Sequence, residues 1–319
     1  MTRSLLQELS VELGIGAHDL MRIIASAPRR YKVYQIPKRS GGSRTIAQPA
    51  RDLKIVQRYL LDKVLAKLPV HPSATGYMTG KGIIDNALVH VNNDLILKMD
   101  FTDFFPSIKV ADWVRVVKRS DTELSRQDIV LCNYIMFWGR GGGEPECLSI
   151  GAPTSPALSN IVMFQIDEHL ASAARRYEVK YSRYADDITV SGNIHSALLR
   201  FENYARSLIG RTASPKLSFN EEKRGLFGKG QRRMVTGLVL TPQQKVSIGR
   251  DRKRLISSML HKISIGILDV EMIGQLKGYI GFCLAVEPEY VSTMREKYGD
   301  DVIDYVLKSE ITKRRRQAE

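Results

Sequence analysis

Long apolar runs are missing from this chain. No stretch of about 18 uncharged residues is present to cross a bilayer, and the opening MTRSLLQELSVEL is interrupted by Glu8 and Glu12, unlike a charged-then-apolar leader. A soluble, unexported protein with no membrane partner is expected. Cysteine is scarce: Cys132, Cys147 and Cys283 form neither an even-numbered disulfide framework nor a metal-ligand spacing, which fits a reducing, cytoplasmic compartment. Internal repeats and low-complexity tracts are also absent, and the one glycine-dense run, GRGGGEP at residues 139–145, reads as a loop. Acid is in deficit, with 34 Asp and Glu against 48 Lys and Arg and a formal net charge of +14. An extended polyanion is the natural partner of such a surface, nucleic acid before anionic membrane. What is plentiful is apolar material, 43% of 319 residues, enough for a sizeable core in roughly two domains.

Periodicity orders the elements. Leu5, Leu6, Leu9 and Leu13, then Leu20, Ile23 and Ile24, recur at helical spacing and predict two short helices ending at Pro28. From Tyr31, YKVYQIPKRSGGSRTIAQP alternates apolar with basic residues about a Ser-Gly-Gly-Ser tip, a β-hairpin whose tip is flanked by Lys38, Arg39 and Arg44. A helix over 53–68 and a buried strand over 94–101, DLILKMDF, follow, the strand ending on Asp100. Residues 111–138 read as mostly helical. In IGAPTSPALSNIVMFQIDEHL, Ser155 is placed as N-cap and Pro156 at the first helical position of a long helix, with Leu158, Ile161, Val162, Ile166 and Leu170 as its buried stripe. A strand pair surrounds Tyr184. Then come a helix near 195–209, a strand at 217–219, a hairpin from MVTGLVL and KVSIG, and a helical, basic remainder closing in Lys313-Arg314-Arg315-Arg316, a solvated tail.

The informative stretch is SRYADDITVSG at 182–192, where Asp186 and Asp187 interrupt an otherwise buried strand. Alone, two aspartates in a tight turn are as consistent with turn chemistry as with a site. Asp100 changes that balance, because it ends another central strand, where an uncompensated buried charge is expensive. Three converging carboxylates need a positive partner, and such an oxygen-rich set suits Mg²⁺, which takes one or two carboxylates, waters and substrate phosphates. Two such ions about 3.5–4 Å apart activate an attacking hydroxyl and stabilise the leaving oxygen of an in-line phosphoryl displacement, the chemistry of polymerases and nucleases.

LKMDFTDFFPSI, IGAPTSPALSNI and YSRYADDITVSG, in that order and spacing, resemble the successive palm motifs of a reverse transcriptase. A basic hairpin precedes them and a helical, basic segment follows, so the resemblance covers nearly the whole chain. It implies an α+β right-hand polymerase fold: N-terminal helices and fingers over 1–93, a palm over 94–240 with a fingers insertion at about 110–150, and a mainly helical thumb over 241–319. It implies Asp100, Asp186 and Asp187 as catalytic carboxylates that, with the Phe101 carbonyl, hold two Mg²⁺ ions, Asp187 tuning the site more than holding both. Lys38 and Arg44 would clamp the incoming triphosphate, a role that suits a flexible Lys and a planar Arg fork. Asp103, Phe104, Phe105 and Gly151 would border the nucleotide, Phe105 as the aromatic gate under the sugar that rejects a 2′-hydroxyl. Lys223 would stand near the leaving pyrophosphate. Out of this context Phe105 reads as a core phenylalanine and Lys38 and Arg44 as solvated hairpin charges. One departure is Ile150, where the family usually has glutamine before the glycine; altered nucleotide affinity or fidelity is expected from it rather than inactivity.

Two shorter signatures narrow the family. Asn86-Ala87-Leu88-Val89-His90 matches the NAxxH signature, and Val235-Thr236-Gly237 the VTG signature, of bacterial retron reverse transcriptases. By themselves Asn86 and His90 read as a helix-surface pair or a satisfied core histidine. The resemblance implies reverse transcription of a cognate structured noncoding RNA, from dNTPs and a guanosine 2′-hydroxyl primer, into branched multicopy single-stranded DNA (msDNA). It further implies a part in anti-phage defence with a separate effector protein. RNA contacts fall to Asn86, His90, Val235, Thr236 and Gly237 and to the basic face of Arg250, Arg252, Lys253 and Arg254, able to read RNA shape and exposed loops. A group II intron or diversity-generating enzyme is the alternative, opposed by both signatures and by a length with no room for ribonuclease H, maturase or integrase-type domains. Retention of the three aspartates opposes a catalytically silent nucleic-acid scaffold, and Tyr184-Ala185 with Phe105 opposes an RNA-dependent RNA polymerase.

Overall fold

A computed structural model describes residues 4–38, 41–120, 122–267 and 269–309. The chain divides into two compact units, the first made of Met1–Gly82 and Asp94–Leu226, the second of Ile83–Asn93 and Phe227–Glu319.

The first unit opens with α1 (Leu5–Leu13) and α2 (Ala17–Ser26). Ser4 caps α1 through a reciprocal bond with Gln7, and Gly14 ends it in the left-handed conformation that glycine takes without strain. Strands β1 (Tyr31–Pro37) and β2 (Ser43–Pro49) pair antiparallel as the expected hairpin, and α3 (Arg51–Lys63) follows, shorter than its apolar pattern because residues 65–67 tighten into a 3-10 turn. After α4 (Ile83–Leu88), which belongs to the second unit, come β3 (Leu95–Asp100), the single turn α5 (Phe104–Ser107), α6 (Val110–Arg119) and α7 (Arg126–Met136). The long helix α8 (Ser155–Arg176) starts one residue earlier than expected: Thr154 is its N-cap, Ser155 is already helical, and Pro156 sits in the first turn, where its missing N–H costs nothing. Next are β4 (Lys180–Tyr184), β5 (Asp187–Gly192) and α9 (His195–Arg211). Residues 217–219 form no strand. Phe219 makes a single bridge with Phe101 and stacks on it at 5.0 Å, so its apolar character is satisfied by ring packing. The fourth strand is instead β6 (Gly225–Phe227), giving the sheet order β4-β5-β3-β6. One core of buried side chains runs under this sheet, from Leu97 and Met99 of β3 and Ile188 and Val190 of β5 to Leu158, Ile161 and Leu170 of α8.

In the second unit β7 (Met234–Val235), β8 (Leu238–Leu240) and β9 (Val246–Ser247) form a small antiparallel sheet. Helices α10 (Arg250–Ser264), α11 (Val270–Val286), α12 (Pro288–Tyr298) and α13 (Asp300–Lys308) share their own core, with Leu260, Leu276, Ile280, Ile303 and Val306 at its centre. Among the described residues no helix is long and apolar enough to cross a membrane. Arg39 and the basic run 313–316 lie outside the described residues.

Candidate active site

β3 ends on Asp100 and β5 begins on Asp187, and the antiparallel register makes these two residues direct partners. Like charges opposed on neighbouring strands repel. The β4–β5 hairpin closes through Ala185-Asp186, with Tyr184 paired to Asp187 and Ala185 held left-handed at φ 58°. The Asp186 carbonyl accepts the Phe101 N–H at 3.3 Å, which ties the turn to the end of β3. On the other side of Asp100, Asn220 N–H donates to the Asp100 carbonyl at 2.8 Å. That contact brings Lys223 round, and its Nζ donates to Asp100 Oδ1 at 2.7 Å.

The electrostatics follow from this crowding. Burial pushes the Asp100 carboxyl up to about 7; Lys223 pulls it down while Asp187 and Asp186 raise it further. Asp186 is likewise raised, by burial first and then by Asp187, with Lys223 and Arg44 opposing. Burial works against the Lys223 charge, yet the three aspartates hold its ammonium above the usual lysine range. Acidic groups that resist ionising beside one another, with one lysine as compensation, form a site that gains from added positive charge. Among the described residues no three His, Cys, Asp or Glu side chains already stand in metal-holding geometry. The donor set nevertheless fits a hard divalent cation, with opposed carboxylates at Asp100 and Asp187 and an adjacent backbone carbonyl at Phe101, while Lys223 stands in for positive charge at Asp100.

An open cleft of about 410 Å³ is lined by Tyr77, Phe105, Ile150 and Gly151, with Lys54 and Arg58 from α3. Phe105 is half-buried, its ring edge-on to the buried Phe104 at 5.5 Å and tilted against Tyr77 at 6.4 Å. Asp103, left-handed at φ 44°, precedes α5 and is exposed, so α5 presents Phe104 inward and Phe105 towards the cleft. Gly151 has φ 126°, and a Cβ there would lie 3.1 Å from the Ala47 carbonyl oxygen, so the chain passes against β2 only as glycine. Ile150 supports that contact through its backbone, its carbonyl accepting Ala47 N–H at 3.0 Å. Lys38 and Arg44 are exposed on the hairpin, and Arg44 is near enough to favour the charged form of Asp186.

The two short signatures meet in the second unit. Thr236 and Gly237 take φ 47° and 80°, the paired positive values of a type I′ hairpin turn between β7 and β8. Thr236 Oγ1 donates to the Ile83 carbonyl at 3.0 Å, and Arg233 Nη1 donates to the Asn93 carbonyl at 2.5 Å, so the hairpin grips both ends of 83–93. Asn86, His90 and Val235 are buried. Of the basic face, Arg250 and Arg254 are exposed, whereas Arg252 lies over the Phe282 ring at 4.9 Å and Lys253 pairs with Glu287 at 2.6 Å.

Burial pushes the His90 imidazole down from 6.5 to about 3. A histidine neutral in the fold but protonated in the unfolded chain contributes stability above about pH 6.5 that is lost as the pH falls towards about 3. The expected loss is up to about 1.4 kcal/mol per pH unit in that window. Urea unfolding at pH 7 and pH 5 measures it, and His90→Leu should remove this share of the slope; equal slopes in both proteins would exclude His90 as its source.

Several residues of the site have no role that the motifs assign. Tyr77, φ 61°, stands between Phe105 and Tyr184, and Arg183, Asp167 and Asn160 are buried beneath the acidic turn. Arg183 and Asp167 lie in elements that carry other polar residues, so their charges gave no distinct signal.

A basic hairpin, acids at the ends of adjacent antiparallel strands and an aromatic-walled cleft define a nucleotidyl-transferring polymerase. Residues 36–240, well over half of the chain, match the family described as reverse transcriptase (RNA-dependent DNA polymerase). Retron Ec83 reverse transcriptase of Escherichia coli is 36% identical over 293 residues, covering 91% of this chain and 94% of that protein. Retron Mx65 reverse transcriptase of Myxococcus xanthus is 34% identical, covering 91% of this chain and 69% of that protein, and Retron Ec86 reverse transcriptase of Escherichia coli is 30% identical, covering 94% and 92%. The chain belongs to the reverse transcriptase family, among the bacterial retron reverse transcriptases, and is an RNA-directed DNA polymerase built of helices and antiparallel sheets, an α+β protein.

Proposed function

We propose that this enzyme copies part of its cognate structured noncoding RNA into DNA, starting from a guanosine 2′-hydroxyl, and so makes branched msDNA. The observation that carries the reading is the pairing of Asp100 with Asp187 beside Asp186, compensated by Lys223 at 2.7 Å, in a chain of retron ancestry. Reverse transcriptases use divalent metal ions, RNA templates and dNTPs. Two Mg²⁺ ions bound by Asp100, Asp186, Asp187 and the Phe101 carbonyl would lower the pKa of the attacking hydroxyl and offset charge on the leaving group. The protein's own groups do the rest. Lys38 and Arg44 draw in the triphosphate, Gly151 lets the nucleotide lie against the backbone, and Lys223, held protonated by the acids, presents Nζ to charge developing on pyrophosphate. Asp103 and Phe104 set the angle of Phe105, which closes the space a ribose 2′-hydroxyl would need. Ile150 leaves the nucleotide without a side-chain amide at that point. Exposed Arg250 and Arg254 supply phosphate contacts, while the buried Asn86, His90 and Val235, with Thr236 and Gly237, shape the RNA-facing surface from within.

Purified protein, the transcript, dNTPs and Mg²⁺ test this directly. The DNA product should stay attached to RNA under denaturing conditions, be released by a 2′,5′-phosphodiesterase, and vanish when the priming guanosine is replaced by its 2′-deoxy form. Extension from 3′-hydroxyl ends alone would overturn the priming assignment. Phe105→Ala should raise ribonucleotide relative to deoxyribonucleotide incorporation by about tenfold or more, the scale of discrimination by pocket shape; an unchanged ratio removes Phe105 from the gate. The same reading sets the polymerase and its DNA, in the cytoplasm, as restraints on a separate effector in anti-phage defence. Loss of phage protection in the synthesis-dead enzyme tests that step.

A further inference from the structure

The turn that presents Asp186 rests on a buried polar node. Arg183, immediately before Tyr184 on β4, is closed to solvent, as are Asp167 and Asn160 of α8. Its Nε and Nη2 donate to the two Asp167 oxygens at 2.8 and 2.6 Å. Charge neutralisation needs only those two bonds. Nη1 makes two more, to the Ala185 carbonyl at 2.9 Å and to Asn160 Oδ1 at 3.1 Å. Asn160 Nδ2 then donates to the Gly76 carbonyl at 2.8 Å. One arginine and one asparagine therefore bind a carbonyl on each of two segments, the acidic turn and the loop before Tyr77.

Those segments touch. A Cβ on Gly76 would lie 2.9 Å from the Ala185 nitrogen, and the loop is laced to β4 by Arg183 N–H to the Ser73 carbonyl and Thr75 N–H to the Arg183 carbonyl, both 2.8 Å. Each segment carries a left-handed non-glycine residue, Ala185 at φ 58° and Tyr77 at φ 61°. Such conformations are costly for a side chain and persist where the surroundings over-determine them. Beyond the node, the Tyr77 ring meets Tyr184 at 6.2 Å and Phe105 at 6.4 Å.

We infer that Arg183 and Asn160 are positioning residues that lock the Ala185-Asp186 turn to the Tyr77 loop, setting both where Asp186 stands relative to Asp100 and where Tyr77 backs Phe105. The inference rests on Asp186 as a metal carboxylate and Phe105 as the sugar gate. Arg183→Lys keeps a cation beside Asp167 but cannot reach Asp167, Asn160 and Ala185 together. Asn160→Ala leaves the ion pair intact and removes the bond to Gly76, so it carries the test alone if the lysine variant fails to fold. Leu158→Ala, a fully buried residue on the same helix, is the control for general destabilisation.

The full chain with its RNA is assayed for Mn²⁺ binding by electron paramagnetic resonance, for the Mg²⁺ concentration giving half-maximal synthesis, and for ribonucleotide discrimination. Both node variants should weaken Mn²⁺ binding and raise the Mg²⁺ requirement by about tenfold or more, the scale for losing partners behind metal-holding side chains. Ribonucleotide incorporation should rise with them, while Leu158→Ala lowers the thermal midpoint and moves neither metal readout. Unchanged metal binding in the folded node variants, or an equal shift in Leu158→Ala, overturns the inference. Retained synthesis and Mn²⁺ binding in Asp186→Asn would overturn the site assignment beneath it instead, whatever the node variants do.

Discussion

Replacing Asp186 and Asp187 together by asparagine should end metal-dependent DNA synthesis and leave the folded enzyme bound to its RNA. Asparagine preserves volume and one acceptor oxygen but not the charge or the second acceptor. Metal-assisted charge stabilisation in phosphoryl transfer is worth several kcal/mol, and at 1.36 kcal/mol per factor of ten the rate should fall by at least about a thousandfold. RNA affinity rests on dispersed basic contacts and should hold to within about twofold. Stability should hold or rise, because Asp187 is the register partner of Asp100 and the substitution relieves their repulsion. The single variants separate the two acids: Asp186→Asn, at the tip of the turn, should come close to the double variant, and Asp187→Asn should retain more. Primer extension, a filter-binding isotherm and a thermal melt on the same preparations report all three quantities. Undiminished synthesis by the double variant would sink the two-ion assignment.

How much of this was legible in the sequence depends on the distance over which each feature is determined. The strand end at Asp100 and the hairpin turn at Asp186 could be read because the flanking strands have strong local patterns, which place an acid at the end of β3 and two acids at the turn from β4 into β5 whatever the rest of the chain does. The hairpin over β1 and β2 was visible for the same reason. Ser155 was misread as a cap by one residue, since no side chain caps this helix and periodicity alone does not choose between neighbouring positions. The run at 217–219 looked like a strand because three alternating residues cannot distinguish ladder pairing from one stacked phenylalanine. The joining of 83–93 to the C-terminal unit was out of reach: Thr236 meets Ile83 across 153 residues, and neither segment's pattern encodes the other. Arg183 was hidden differently. It stands inside the motif that was read, but a charged residue in a strand is normally assigned to solvent, and only Asp167, 16 residues earlier on α8, brings it inside.

Asp167 should accordingly be among the costly single truncations in the first unit. Asp167→Ala strands the Arg183 guanidinium in a site closed to solvent, and breaking a buried pair from one side costs about 3–5 kcal/mol. The Tyr181 hydroxyl, which donates to Asp167 Oδ1 at 2.7 Å, loses its acceptor in the same step. Urea unfolding should show the midpoint falling by a corresponding amount, and a loss below about 1 kcal/mol, the level of an exposed pair, would mean that water reaches the guanidinium. Replacing both partners by apolar residues, Asp167→Leu with Arg183→Met, should recover most of the stability, because well-packed hydrophobic substitutes for a buried ion pair are often neutral or better. Synthesis should not recover with it. The double variant has a filled core but no donor for the Ala185 carbonyl, so the turn that presents Asp186 regains its support and not its register. A buried charge retained for packing energy alone would give the opposite pairing, activity returning in step with the unfolding midpoint.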